Sequence, residues 1–174
     1  MGVKGKKRLT RSQERPQRNS KKAKSGVDAF ICAVEQRAAQ NQTQQQTTTN
    51  FILQISDDFA FIRLRDLRHP LRFFRQLSGA PPIQFGTSGF RREIVDDANP
   101  ARHYTAFVFV GYWLPMALGW LVLIAWEALG YVRYGFQWSP NDVRCGVIGL
   151  KHGRAVRREG ATVLAALIES DLKN

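Results

Sequence analysis

The stretch YTAFVFVGYWLPMALGWLVLIAW, residues 104–126, decides how this chain is read, because 23 consecutive positions carry no charge. As one straight helix it extends about 35 Å, enough to cross the roughly 30 Å hydrocarbon core of a bilayer. The ten Leu, Ile, Phe and Val residues between Thr105 and Trp126 together favour insertion by about 3–6 kcal/mol, of which Gly111, Pro115 and Gly119 offset a part. Tyr104, Tyr112, Trp113, Trp126 and Tyr131 lie toward the two ends, where amphipathic rings prefer the headgroup zone, while Trp120 sits nearer the middle. A transmembrane helix is the expectation. The competing architecture is a helical hairpin turning near Pro115, or a buried helix in a water-soluble core.

Either way the fold class is mainly α: one central hydrophobic helix or hairpin, flanking amphipathic helices and a disordered basic N-terminal tail. Working outward from the hydrophobic run, the charge is unevenly placed. Residues 1–24 hold ten Lys or Arg against Glu14 alone, so they supply +9 of the net charge of +12. Val3 and Leu9 are the only large aliphatic residues there, too few to offset the entropy of ordering, and the segment 1–26 is expected to be a disordered tail. No apolar stretch follows the charges, which excludes a secretory signal. The lysine-rich, apolar-poor pattern also argues against an amphipathic transit peptide. Cys32 and Cys145 fall in dissimilar contexts, and His69, His103 and His152 are not spaced with either. That pattern favours a reducing compartment and gives no expectation of a metal or other cofactor.

Between tail and hydrophobic run the chain reads in three pieces. Residues 27–39 place Val27, Phe30, Ile31 and Val34 at helical spacing and form a short helix. Residues 40–50 are a low-complexity polar linker, with a glycosylation sequon at Asn41 that matters only in a lumenal setting. Residues 51–93 are a basic amphipathic segment followed by a Gly/Pro loop. Ser56, with Asp57 and Asp58 behind it, reads as the N-cap of a helix running to about Arg68. Loose alternation in 51–55 and 61–65 leaves strands as the competing reading. Arg63, Arg65, Arg68, Arg72 and Arg75 interleave with apolar residues over 62–77. Such a pattern suits an anionic surface, and equally a solvated basic face over an ordinary core. Gly86 and Gly89 precede Arg91 and Arg92, but without the Gly-Lys-Ser/Thr ending of a phosphate loop.

The region 94–174 contains the hydrophobic run and C-terminal helices. Ser139 followed by Pro140 is a strong helix start. Residues 161–169 form a terminal amphipathic helix too short to span a membrane. Gly111, Pro115 and Gly119 recur every four residues along one stripe, and Gly146, Gly149 and Gly153 make a second small-residue face. These stripes are expected to pack on each other within one chain, or on a partner helix or second copy.

Asp97, His103 and Tyr104 before the apolar run, Glu127 after it, then Ser139 and Asp142 followed by spaced glycines, resemble the VanZ-like small membrane proteins. The likeness covers about residues 96–153. It implies a helical membrane protein of unsettled activity associated with resistance to glycopeptide-type compounds, with Asp97, His103, Glu127 and Asp142 as its candidate catalytic groups. Two departures stand out: Gly146 replaces the family's Asn, and only 24 residues separate His103 from Glu127, where the family usually fits two spans. On one straight helix those two side chains lie about 36 Å apart. A shared pocket then requires the run to fold back near Pro115, and is not expected. No Ser-His-Asp, Cys-His or paired-carboxylate arrangement stands out.

Three function classes remain: a small membrane-anchored protein with a structural or interaction role; a nucleic-acid-associated protein whose basic tail binds nonspecifically; and a membrane-embedded enzyme using His103 and nearby carboxylates. The first is the expectation. Its partners are the membrane and anionic lipid, or nucleic acid in the second class. The tail is placed on the cytoplasmic side by the excess of basic residues before the apolar run.

Overall fold

The structure, a computed structural model, describes residues 25–69, 79–96, 98–133 and 139–174, without the side chains of residues 65, 67, 132 and 133. The basic tail up to residue 24 lies outside the described residues, as do Arg72 and Arg75. Six α-helices and no strands are present among the described residues: α1 (Gly26–Thr43), α2 (Thr48–Ile55), α3 (Pro100–Trp113), α4 (Met116–Arg133), α5 (Pro140–Glu159) and α6 (Val163–Leu172).

The hydrophobic run is broken in two. Pro115 offers no N–H and disfavours the helical conformation at the residue before it, and Leu114 is extended at φ −107°, ψ 149°. The Leu114 amide still donates to Val110, and the Pro115 carbonyl already accepts from Gly119, so one helix closes as the next begins. The expected single transmembrane helix is therefore corrected to a hairpin. Its arms are 14 and 18 residues long, and among the described residues no helix is long and apolar enough to cross a membrane.

The other differences are local. α1 continues to Thr43, and the polar stretch breaks only at residues 44–47, because Asn41 turns inward and its amide donates to the Thr47 carbonyl. α2 is capped by Thr47, whose hydroxyl accepts from the Asn50 amide. Ser56 is thus not an N-cap. The chain is already helical there and widens into one π turn, Ser56–Ala60, which Phe61 ends in the left-handed region at φ 60°. A 3-10 turn, Leu64–Arg68, replaces the rest of the expected helix. Ser139 does cap α5, its hydroxyl accepting from the Asp142 amide, with Pro140 in the first turn.

Apolar positions at helical spacing explain the packing. Val27, Phe30, Ile31 and Val34 of α1 are all buried, against Phe51, Ile52 and Ile55 of α2, Tyr104 and Val108 of α3, and Leu164, Ile168 and Leu172 of α6. Phe30 is central, meeting Phe59 and Tyr104 edge-on and Phe85 and Phe90 at a tilt, the offset geometries that aromatic quadrupoles favour.

α3 and α5 run parallel at very close approach. A Cβ on Gly111 would overlap the Leu150 carbonyl oxygen, and one on Gly153 would overlap that of Val108. A Cβ on Gly149 would stand 2.7 Å from the Tyr104 carbonyl. α4 returns antiparallel to both, with Leu123 level with Gly146, and Gly119 against Leu150. Phe107, Leu123 and Leu150 fill this second, smaller core. Pro115 stays exposed at the hairpin turn, outside these contacts.

Candidate functional site

The fold-back near Pro115 joins residues that a straight helix would hold apart. His103 lies in the first turns of α3, Glu127 in the last turns of α4 and Asp142 in the first turn of α5. Because α4 is antiparallel to its neighbours, all three reach the same end of the bundle. One ligand-type atom from each lies within 4.8 Å of the others. The sequence expectation that His103 and Glu127 do not share a pocket is corrected. Asp97, the fourth group of the constellation, lies outside the described residues.

Glu127 is the unusual member. It is 8% exposed. Its Oε1 is buried with no hydrogen-bond partner among the described residues and stands 3.7 Å from His103 Nε2. Burial, then the negative charges of Asp142 and Asp96, push its pKa up to about 7. A carboxylate placed so has lost water without gaining a full set of donors, the condition that raises a carboxyl pKa. His103 Nε2 lies 2.9 Å from the Asp142 main-chain carbonyl, and its ring packs on Phe107 at 4.9 Å between centroids.

A second polar chain runs through the core. The Asp171 carboxylate accepts from His152 Nε2 at 2.9 Å, which leaves Nδ1 to accept the hydroxyl of fully buried Tyr104 at 2.7 Å. Burial holds His152 below its ordinary pKa against the opposing pull of Asp171, and burial pushes the Tyr104 hydroxyl up. Burial also pushes Asp171 up, but the hydrogen bonds from Ser170 and His152 and the charges of His152 and Arg91 outweigh it, so its pKa falls. The chain ties α3, α5 and α6 together with every polar atom paired, the arrangement a buried network needs in order to stabilise a core. The sequence reading assigned His152 no role. Its place three residues after Gly149 and one before Gly153, on the small-residue face, was the available signal that it turns inward.

The outer side of α4 is the third feature. Met116, Gly119, Leu123, Glu127 and Gly130 face the bundle, and the other residues from 117 to 131 face out. Leu118, Trp120, Leu121, Val122, Ile124, Trp126, Leu129 and Tyr131 are exposed, as is Trp113 at the end of α3. Between 116 and 131 the only charged residue is Glu127, and it points inward. Arg154, Arg157 and Arg158 of α5 line a groove with Gly111, Leu114 and Pro115 at the hairpin turn.

The other predicted surface residues are scattered. Arg63 pairs with Asp57 and lies over the Phe61 ring, Arg68 is exposed, and the side chains of Arg65, Arg72 and Arg75 are outside the description. Gly86 has φ 68° and Gly89 φ 80° in the loop that precedes the 3-10 turn Arg92–Ile94. That loop binds the termini of the described chain: Val27 donates to the Ser88 carbonyl, and Asn174 to that of Gly89.

Compared with models of known families, with curated proteins and with solved structures, the chain matches none.

Proposed function

We propose that this protein works at a membrane surface, with the outer face of α4 seated among the headgroups and upper acyl chains of an anionic leaflet and the rest of the chain above it. The observation that carries this reading is the α4 surface itself. A helix apolar on all sides needs an apolar surrounding, and the bundle covers only one narrow stripe of it. Exposed patches of this size mark interaction surfaces. Fully burying a large apolar side chain contributes about 1.5–3 kcal/mol. The nine residues here are still 37–63% exposed, so covering half of that surface contributes roughly 5 kcal/mol before ordering costs.

Lipid is favoured over another protein by the chemistry around the patch. Trp113, Trp120, Trp126 and Tyr131 are the side chains that prefer headgroup depth. Arg154, Arg157 and Arg158 stand at one end of α4, each able to add about 1 kcal/mol at an anionic surface, and the chain as a whole carries +12. A helix lying in the interface also needs no length to span.

Co-sedimentation of the full chain with vesicles tests this reading. It predicts binding to vesicles containing phosphatidylglycerol, weaker binding to neutral vesicles, and release when Leu121→Asp and Leu129→Asp are combined. Unchanged sedimentation of that double variant overturns it. So does a wild-type chain that ignores lipid and instead forms a dimer in analytical ultracentrifugation, since the face is then covered by a second copy.

A further inference from the structure

We propose that His103, Glu127 and Asp142 form a binding site for a divalent transition-metal cation of the Zn2+ type. The geometry comes first. Ions of this kind hold nitrogen and oxygen ligands at about 2.0–2.2 Å, so neighbouring ligand atoms stand about 3.0 Å apart at right angles and about 3.4 Å apart in a tetrahedron. The donor atoms here are already gathered within 4.8 Å. His103 Nε2 and Glu127 Oε1 are separated by 3.7 Å, which a small side-chain adjustment brings to tetrahedral spacing. The Asp142 main-chain carbonyl, 2.9 Å from Nε2, stands at right-angle spacing and is placed to serve as a further oxygen ligand.

The second observation is Glu127 Oε1, a carboxylate oxygen that faces His103 in a residue more than nine-tenths buried and has no hydrogen-bond partner among the described residues. A buried carboxylate is kept in proteins by a counter-charge or a metal. One imidazole and two carboxylates suit Zn2+ and its first-row neighbours, whereas sites for Mg2+ and Ca2+ are built from oxygen alone. With the imidazole neutral and both carboxylates ionised, the set carries −2, which a divalent ion cancels. Binding moves the His103 ring proton to Nδ1 and releases any proton held on Glu127. The three side chains leave a fourth position, which the Asp142 main-chain carbonyl or a water can fill.

The test is Zn2+ titration of chelator-stripped full-length protein against a fluorescent zinc indicator. The expected result is one equivalent bound by wild type and by His69→Ala, an exposed histidine elsewhere. Glu127→Gln and Asp142→Asn should each lose about 100-fold in affinity or more, since even the outer-shell partners of a metal site contribute 10- to 100-fold. Wild type that takes up no stoichiometric Zn2+, or variants that bind as wild type does, overturn the proposal. If circular dichroism shows that the variants do not fold, Co2+ added to wild type decides. Ligand-field bands distinct from the aquo ion, saturating at one equivalent, support the site, and an unchanged aquo spectrum refutes it.

Discussion

Replacing Gly111 by Ala should destabilise the protein, although the same change in an open helix stabilises by about 1 kcal/mol. The new Cβ would overlap the Leu150 carbonyl oxygen and stand 2.7 Å from Leu150 Cα. These are backbone atoms, so no rotamer change relieves the clash, and α3 and α5 must move apart. Overpacking of this kind costs about 1–3 kcal/mol, occasionally more. Separation also loosens the contacts of Gly149 and Gly153 with the α3 backbone. The expected net loss is about 2 kcal/mol, a sizeable part of the roughly 5–15 kcal/mol that holds a domain together. For a chain of this size it lowers the melting temperature by roughly 4–8 °C. Gly119→Ala meets only Leu150 Cδ2, the end of a flexible side chain, at 2.9 Å, and should lose less. Ala125→Leu, on the exposed side of α4, should stay within about 0.5 kcal/mol of wild type. Urea and thermal unfolding followed by far-UV circular dichroism reads all three. A Gly111→Ala protein as stable as wild type would refute the backbone-on-backbone packing of α3 and α5.

Two further predictions use the same unfolding measurements. Ser139→Ala removes the hydroxyl that accepts from the Asp142 amide and should cost about 1 kcal/mol, with Ser139→Asp recovering most of it. Acid should destabilise the protein through His152, which faces Tyr104, Asp171 and the charge of Lys151. Its folded pKa lies below the ordinary value of 6.5, so the unfolded chain binds the extra proton, and the contribution of His152 falls as pH drops below about 6.5, against an opposing gain from Glu127, whose pKa of about 7 makes the folded chain take up a proton over the same range. Asp171, also lowered, extends the loss in the same direction at lower pH. His152→Gln should flatten the first part of this acid limb, and an unchanged slope between pH 6.5 and 5 would remove His152 as its source.

What the sequence made legible was local. Val27, Phe30, Ile31 and Val34 marked a helix face by spacing, and all four are buried. Ser139 and Pro140 marked a helix start because a cap is a short-range hydrogen bond. The polar run at 40–43 hid its helix because Asn41 is held by a tertiary contact with Thr47. Ser56, Asp57 and Asp58 looked like a first turn although helix α2 already preceded them, and Asp57 and Asp58 instead pair with Arg63 and Arg37. Pro115 was visible as a breaker, but hydrophobicity alone does not say whether such a break kinks a span or folds it back. That one choice decided whether His103 and Glu127 were 36 Å apart or neighbours. Sites assembled from three helices leave no local spacing pattern: His103, Glu127 and Asp142 were marked only by the family resemblance, and in the Tyr104–His152–Asp171 chain only His152, by its place among the glycines, carried a signal.

Tryptophan emission reports directly on whether the outer face of α4 lies in lipid. Trp120 and Trp126 of α4, and Trp113 at the end of α3, three of the four tryptophans, are exposed. The measurement is fluorescence of the full chain mixed with anionic vesicles whose acyl chains carry bromine at a shallow depth. A face seated in lipid gives a blue-shifted emission that bromine quenches strongly and that water-soluble acrylamide reaches less well than in lipid-free protein. Emission that vesicles leave unshifted, unquenched by bromine and still open to acrylamide would contradict it.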